Sequence, residues 1–485
     1  MQSCRETTDP RTPHPHAVRC LLVPCARQDR SVHPHHGVLR GALRRDRAQT
    51  AVRAKLDHAL VHGADALPAQ AALAFWATAW SFELFGVGEL SARLPSIVAT
   101  LGTALLLYML VKRQSSESQA GTSTILYLTL ALVIHTAGAV ITDPILTLCT
   151  TAVMTGFWLA VQHRQRRWGD VMWVALGLGL MTKGPIALIM PGLACAAWVA
   201  IRGEWRAFFT AFHWITGPAL MLIVGVPWYI FAEQATPGFL EYFIVGEHFS
   251  RFTEPTWEGD PYGAVKDMPR GSVWVFLIVA SAPWSLAAGI LLAVPAWRRK
   301  VLLLTGDVSR DWLVYLMCWA LIPAVFFTLA RNVLVTYVLP AMPAVAILCG
   351  LCLTAVLSRR VIVSGATAMV VLFGAASIVG YERYYAGHKY NQRPIIRTYH
   401  EYAATDSGHL IYTGNPKFSA TFYTAGDVTF TRHVGRLFYG RRETLYMAVG
   451  ERWYDSLTKQ YRDTCDQIAR SNDISLWYCP ASRIP

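Results

Sequence analysis

Charged side chains are scarce. Only 15% of the 485 residues are Asp, Glu, Lys or Arg, against 53% hydrophobic ones, and the mean hydropathy is +0.32. That balance excludes an ordinary soluble enzyme of this length. Acidic residues are the scarcer sign, 31 against 44 basic, for a net charge of +13. A nucleic-acid binder would gather the excess into one patch. Here it is dispersed through short loops, so no nucleic acid is expected, and the charge reads as membrane topology and attraction to anionic lipid. Internal repeats and low-complexity tracts are absent.

Another lack is local. Residues 1–74 contain no Phe, Trp, Tyr, Ile or Asn, and the first aromatic residue is Phe75. The same stretch holds ten Arg against one Lys, and seven of the fifteen His. Its most apolar string, AVRCLLVPCA, is too short and too weak for a signal core. Either this is a disordered basic arm or it is translated in the wrong register. Topology favours the second reading: the first clear span begins near Arg93 on the outer face, and nothing before it can cross a membrane. Read from the second base of each codon, residues 40–48 permit Glu-Ala-Arg-Tyr-Ala-Glu-Ile-Ala-Arg. Residues 55–59 permit Asn-Trp-Ile-Thr-Pro, and 70–72 permit Lys-Pro-Pro, with Leu73 resuming the frame. Residues 1–72 are therefore set apart as an anomalous segment, disordered or out of frame.

What is present is a series of long apolar runs, roughly 93–111, 123–141, 144–162, 168–182, 185–201, 213–233, 273–296, 311–330, 333–357 and 361–381. Most approach the ~20 residues that cross a bilayer as a helix. The runs at 168–182 and 185–201 are shorter and suit tilted or partly re-entrant segments. Basic residues fall in alternate loops: Lys112 and Arg113; Arg164, Arg166 and Arg167; Arg202 and Arg206; Arg298, Arg299 and Lys300; Arg359 and Arg360. The positive-inside rule makes those loops cytoplasmic. The remaining loops, with Asp143, Lys183, residues 246–263 and Asn332, share the outer face. Residues 385–485 are polar. HLIYTG, VTF, ETLYMAV and DISLWYC read as strands, and 416–424 and 450–470 as helices. The fold class expected is an all-α polytopic membrane protein of about ten helices (73–384) with a small C-terminal α/β domain (385–485) on the outer side. Cys465 and Cys479 would form a disulfide in an oxidising compartment, or remain two thiols. Cys349 and Cys352 lie within a span and read as core.

The outer loop GEHFSRFTEPTWEGDPYG (246–263) is too rich in charge and aromatic rings for a connector. The strings LAFWATAWSFELFGVGELSARLPS (73–96), ITDPILTL (141–148), LMTKGPIAL (180–188), VPWYIFAEQATPGFLEYFIVGEHFSRF (226–252), APWS (282–285) and YVLPAMPAVAIL (337–348) resemble, in this order, the polyprenyl-phosphate-dependent glycosyltransferases of family 39. That family includes protein O-mannosyltransferase-like proteins and the aminoarabinose transferases that modify lipid A. The resemblance implies a GT-C-like fold, a polyprenyl-phosphate sugar donor, and a lipid, protein or glycan acceptor at the outer face of a bacterial inner membrane. It also implies a main acidic catalytic residue in the first outer loop. Residues 1–72 show no such motif in frame, so this chain is expected to lack it. A transporter or flippase of lipid-linked or small polar substrates is the alternative. It would place ionisable groups near mid-membrane and show internal symmetry.

The chemistry needs an acid or base near the acceptor and cations near the departing phosphate. Asp143 before Pro144 has the pattern of an N-cap, and the resemblance puts it near the active site. Lys183, in the turn with Gly184 and Pro185, is either a snorkelling interfacial lysine or a phosphate contact. Glu247 and Arg251 share a helix face as a surface pair. With His248 they are assigned by resemblance to the active site, Glu247 and His248 as catalytic groups and Arg251 toward phosphate. A Glu247/His248 pair is also competent to hold a divalent metal, although no His-x-x-x-His or paired-Cys spacing surrounds it; no other cofactor is indicated. Tyr337 suits an aromatic belt, and the resemblance places it near the lipid phosphate. Pro340 and Pro343 would loosen its helix and shape a groove. Trp228, Tyr229, Trp257 and Tyr262 suit sugar stacking and interface packing equally.

Overall fold

The computed structural model describes residues 72–253, 268–306, 308–380, 391–414, 418–424, 426–431, 443–450, 464–471 and 474–483. Residues 1–71, Trp257 and Tyr262 lie outside them. All ten apolar runs are helical, as lipid demands of segments that must satisfy their own backbone. In chain order the helices of the bundle are α1 (Leu73–Phe85), α2 (Glu89–Gln114), α3 (Glu117–Leu128), α4 (Ala131–Ala137), α5 (Asp143–Val161), α6 (Arg166–Lys183), α7 (Ile186–Arg202), α8 (Trp205–Ala211) and α9 (Thr216–Ala235). A π-helix (Glu241–Ser250) follows. Then come α10 (Ser272–Ala280), α11 (Trp284–Ala293), α12 (Pro295–Thr305), α13 (Arg310–Phe327), a 3-10 segment (Val335–Ala341), α14 (Met342–Thr354) and α15 (Arg359–Gly380).

Among the described residues, six of these segments are long and apolar enough to cross a membrane alone, and eight if each bent pair counts as one span. The two shorter runs form the continuous helices α6 and α7. Breaks fall between α3 and α4, at 66°, and between α10 and α11, at 101°. They occur together for a physical reason. A break frees backbone groups that lipid cannot satisfy, and here the two breaks serve each other. Ala131 N–H donates to the Ala282 carbonyl at 3.0 Å, and Trp284 Nε1 donates to Thr129 Oγ1 at 2.9 Å.

Burial sorts the helices. The apolar window of α5 is 83% inside protein, whereas that of α15 is 11%, so α5 is the axis of the bundle and α15 faces outward. At the C-terminal end of α5, Phe157 and Trp158 pack with Trp198, Trp312 and Tyr315. The Arg202–Asp311 ion pair lies at this end. Arg113 donates to Gln165 Oε1 there at 2.7 Å. The loops assigned to one face by their charge are thus neighbours in space.

Beyond the bundle, α16 (Arg393–Ala403) buries Ile395, Ile396, Tyr399 and Ala403. Their helical spacing gives one apolar stripe, against a five-stranded sheet. The strands are β1 (His409–Thr413), β2 (Thr429–Thr431), β3 (Leu445–Gly450), β4 (Asp466–Ser471) and β5 (Ile474–Cys479), with α17 (Phe418–Tyr423) between β1 and β2. The order is β2-β1-β3-β5-β4; β1 is parallel to β2 and β3, and β5 is antiparallel to β3 and β4. The expected helix over 450–470 is corrected in part. Residues 466–471 are the edge strand β4, whose polar sequence DQIARS reflects its exposure rather than a helical period. Residues 451–463 lie outside the described set. Cys465 and Cys479 are joined in a disulfide.

Candidate active site

Four separate segments meet at the N-terminal end of α5. Asp143 opens that helix but does not cap it: Thr142 occupies the N-cap position and no side-chain cap bond forms. The Asp143 carboxylate, 9% exposed, instead accepts a hydrogen bond from Lys183 Nζ at 2.7 Å. A carboxylate in the first helical turn also sits at the positive end of the helix dipole. Lys183 is the last residue of α6. It turns inward to Asp143 and lies 5.1 Å from the centroid of the Tyr337 ring, so it is not a snorkelling lysine. Tyr337 belongs to the 3-10 segment and packs on Phe327, with ring centroids 4.8 Å apart. That inward packing differs from a belt aromatic on the lipid face.

The turn after Lys183 is tight. Gly184 has φ +69°, ψ −151°, a backbone that L side chains rarely adopt. A Cβ at this position would lie 2.7 Å from Phe243 Cε1 and 2.9 Å from the His248 ring. The π-helix presses against this turn. His248 Nε2 lies 3.0 Å from the Lys183 carbonyl oxygen, and Nδ1 lies 2.7 Å from that of Phe243.

The π geometry explains how Glu247 is held. Tyr242, five residues earlier, donates its hydroxyl to Glu247 Oε1 at 3.0 Å. Arg251, four residues later, donates from Nη1 to Glu247 Oε2 at 2.8 Å. Both oxygens of the carboxylate are occupied, and the ion-paired side chains are only 9% and 15% exposed. This is not the surface pair that the spacing alone suggested. A buried pair repays its desolvation only with such further hydrogen bonds. Extended π-helix is rare and is frequently found at functional sites.

The six residues singled out from the sequence therefore share one neighbourhood. Asp143, Lys183 and Tyr337 form one group. Glu247 and Arg251 form a second, and His248 joins the two through the Lys183 carbonyl. Tyr242 escaped sequence reasoning because a five-residue spacing has no meaning in an α-helix. The Glu247/His248 pair does not fit a metal. Both Glu247 oxygens and both His248 nitrogens are directed at protein partners. No cluster of three or more His, Cys, Asp or Glu occurs among the described residues. Trp228 and Tyr229 pack with Phe239 and Phe243, and Tyr229 donates to the Leu180 carbonyl at 2.7 Å, so their described contacts are packing contacts. Further along α5, Thr150, Met154, Met190, Trp319, Pro323 and Pro340 line a small, mostly apolar crevice.

Parts of the chain are similar to known proteins. Residues 69–231 match the dolichyl-phosphate-mannose-protein mannosyltransferase family. An undecaprenyl phosphate-α-4-amino-4-deoxy-L-arabinose arabinosyl transferase from Edwardsiella ictaluri is 32% identical over 283 residues, covering 56% of this chain and 48% of that protein. The protein of the same name from Erwinia tasmaniensis is 31% identical over 283 residues, covering 56% and 47%. The chain thus spans about half the length of the curated relatives it matches. The crystal structure of ArnT from Cupriavidus metallidurans bound to undecaprenyl phosphate superposes with a TM-score of 0.68 at 17% identity, over 90% of this chain and 93% of that one. The chain is an integral membrane protein of GT-C-like fold, similar over part of its length to these mannosyltransferase and arabinosyl transferase sequences.

Proposed function

We propose that the chain transfers a sugar from a polyprenyl-phosphate donor to a lipid, protein or glycan acceptor. The observation that carries this is the convergence of Lys183, Arg251, Asp143 and Tyr337 from four segments at one end of an apolar bundle. A departing phosphate gains negative charge in the transition state, and a lysine and an arginine held in place offset it without reorganising. Asp143 is the carboxylate we assign to the acceptor side; its bond to Lys183 orients it. Glu247 and His248 we assign to positioning rather than proton transfer, because their polar atoms are committed to Arg251, Tyr242 and two carbonyl oxygens.

Residues 73–384 would form the transferase domain and 385–485 an appended domain, in the bacterial inner membrane with the site on the periplasmic face. Alternating basic loops support that orientation, and the Cys465–Cys479 disulfide fits an oxidising compartment. The test is transfer of labelled sugar from undecaprenyl phosphate in proteoliposomes, with aminoarabinose first because the relatives carry it in their names. Movement of substrate across the vesicle wall without transfer would instead establish the transporter alternative.

A further inference from the structure

Glu89 opens α2, and two side chains from the C-terminal segment meet it there. Tyr423, on α17, donates its hydroxyl to Glu89 Oε1 at 2.9 Å. Arg393, at the start of α16, places Nη1 3.4 Å from the same oxygen and its guanidinium 6.0 Å from the centroid of the Tyr423 ring. Phe82, near the end of α1, meets Phe422 with ring centroids 6.4 Å apart. One turn along α2, Arg93 continues the chain of contacts. Its Nη1 donates to the Glu89 carbonyl at 2.9 Å and stands 3.6 Å from Glu89 Oε2, while its Nε donates to the Gly138 carbonyl at 2.9 Å. Gly138 ends α4, and the connection it begins leads directly into Asp143.

Each of these contacts is partly exposed, and exposed pairs contribute little to stability. Their arrangement matters more than their strength. They run without a gap from α16 and α17 to the residue that fixes the start of the Asp143 connection, and Val140 within that connection is exposed. We propose that Glu89 and Arg93 are positioning residues, through which the seating of the C-terminal helices sets the placement of Asp143 against Lys183. The proposal rests on the assignment of Asp143 to the site. Misplacing a reacting group by about 1 Å costs up to about a hundredfold in rate, so a weak but well-directed contact is enough to matter.

The experiment uses the full chain in nanodiscs, with Tyr423→Phe and Arg393→Gln combined, Glu89→Gln, and Arg93→Gln. None of these side chains is placed in the phosphate or acceptor machinery. Amide exchange by mass spectrometry over residues 138–142 is read beside kcat and the donor KM. The expected result is faster exchange confined to that connection in all three variants, with kcat lowered about tenfold and KM unchanged. Tyr423→Phe with Arg393→Gln is the decisive variant, since neither residue lies on α2 or in the connection. Unchanged exchange at 138–142 in that variant overturns the proposal, as does an equal rise throughout the bundle. If the parent chain transfers no sugar, the reading of the site fails, and the exchange comparison still decides whether the contacts are relayed.

Discussion

Replacing Gly184 by Ala tests the site through its most constrained backbone position. Two costs combine. Holding a non-glycine residue at φ +69°, ψ −151° costs about 1–3 kcal/mol. The new methyl would also lie 2.7 Å from Phe243 Cε1 and 2.9 Å from His248 Nε2. Neither ring is free to retreat: Phe243 stacks on Phe239, and His248 is held by two carbonyl oxygens. Overpacking of this kind costs about 1–3 kcal/mol more. Two other glycines separate the costs. Gly203, in the left-handed region at φ +72°, ψ +19°, has nothing within 4 Å of its Cβ, so Gly203→Ala carries a positive-φ backbone cost with no packing cost. Gly192 has neither constraint, and Gly192→Ala should stabilise by about 0.5–1 kcal/mol, as expected in a helix interior. Thermal unfolding in detergent should rank the variants Gly192→Ala, parent, Gly203→Ala, Gly184→Ala, from most to least stable. Sugar transfer should fall for Gly184→Ala alone, because only there does the π-helix move. If Gly184→Ala matched Gly203→Ala in both assays, the packing of the π-helix on the Lys183 turn would be refuted.

Asp143→Asn and Lys183→Met should each reduce transfer by about a hundredfold or more, and the double variant should be no worse than the weaker single; strictly additive losses would show that the two do not act as a unit. Glu247→Gln removes the charge that orients Arg251 and should raise the donor KM about tenfold, equivalent to about 1.4 kcal/mol; titration of binding with undecaprenyl phosphate reads this directly. Tyr242→Phe removes one hydrogen bond from the same carboxylate and should destabilise by only about 0.5–1.5 kcal/mol in thermal unfolding. Resequencing the gene across codons 30–75 should reveal one inserted or deleted base, and the frame-restored protein should outperform the present chain in transfer; an intact frame would make the first 72 residues a true N-terminal segment.

Helix positions were legible because lipid imposes length and apolarity on every span. Lys183 stood out because an outward lysine runs against the charge rule, and its partner across 40 residues of sequence proved to be Asp143. The pairing itself could not be read from sequence. Neither could the break at Thr129, where no proline or glycine marks a stop. Its cause is tertiary, the Trp284 indole and the Ala282 carbonyl at the other broken helix. Strand β4 was missed because an edge strand shows solvent a polar face without clean alternation. The Glu247–Arg251 pair was correctly placed on one face, but its burial depends on neighbours that spacing does not reveal.

The π-helix has a consequence of its own. Its wide turn brings residues four and five apart beside one another, so Glu247 and His248 can both reach back five positions, to Tyr242 and to the Phe243 carbonyl. Deleting any one residue between Phe243 and Glu247 would shorten those spacings to four, the natural repeat of an α-helix. The segment could then rewind in the commoner form, and Arg251 would swing by about a quarter of a turn relative to the Lys183 loop. Chain length between these anchors is thus a constraint in its own right, and single-residue gaps should be tolerated here far less than substitutions.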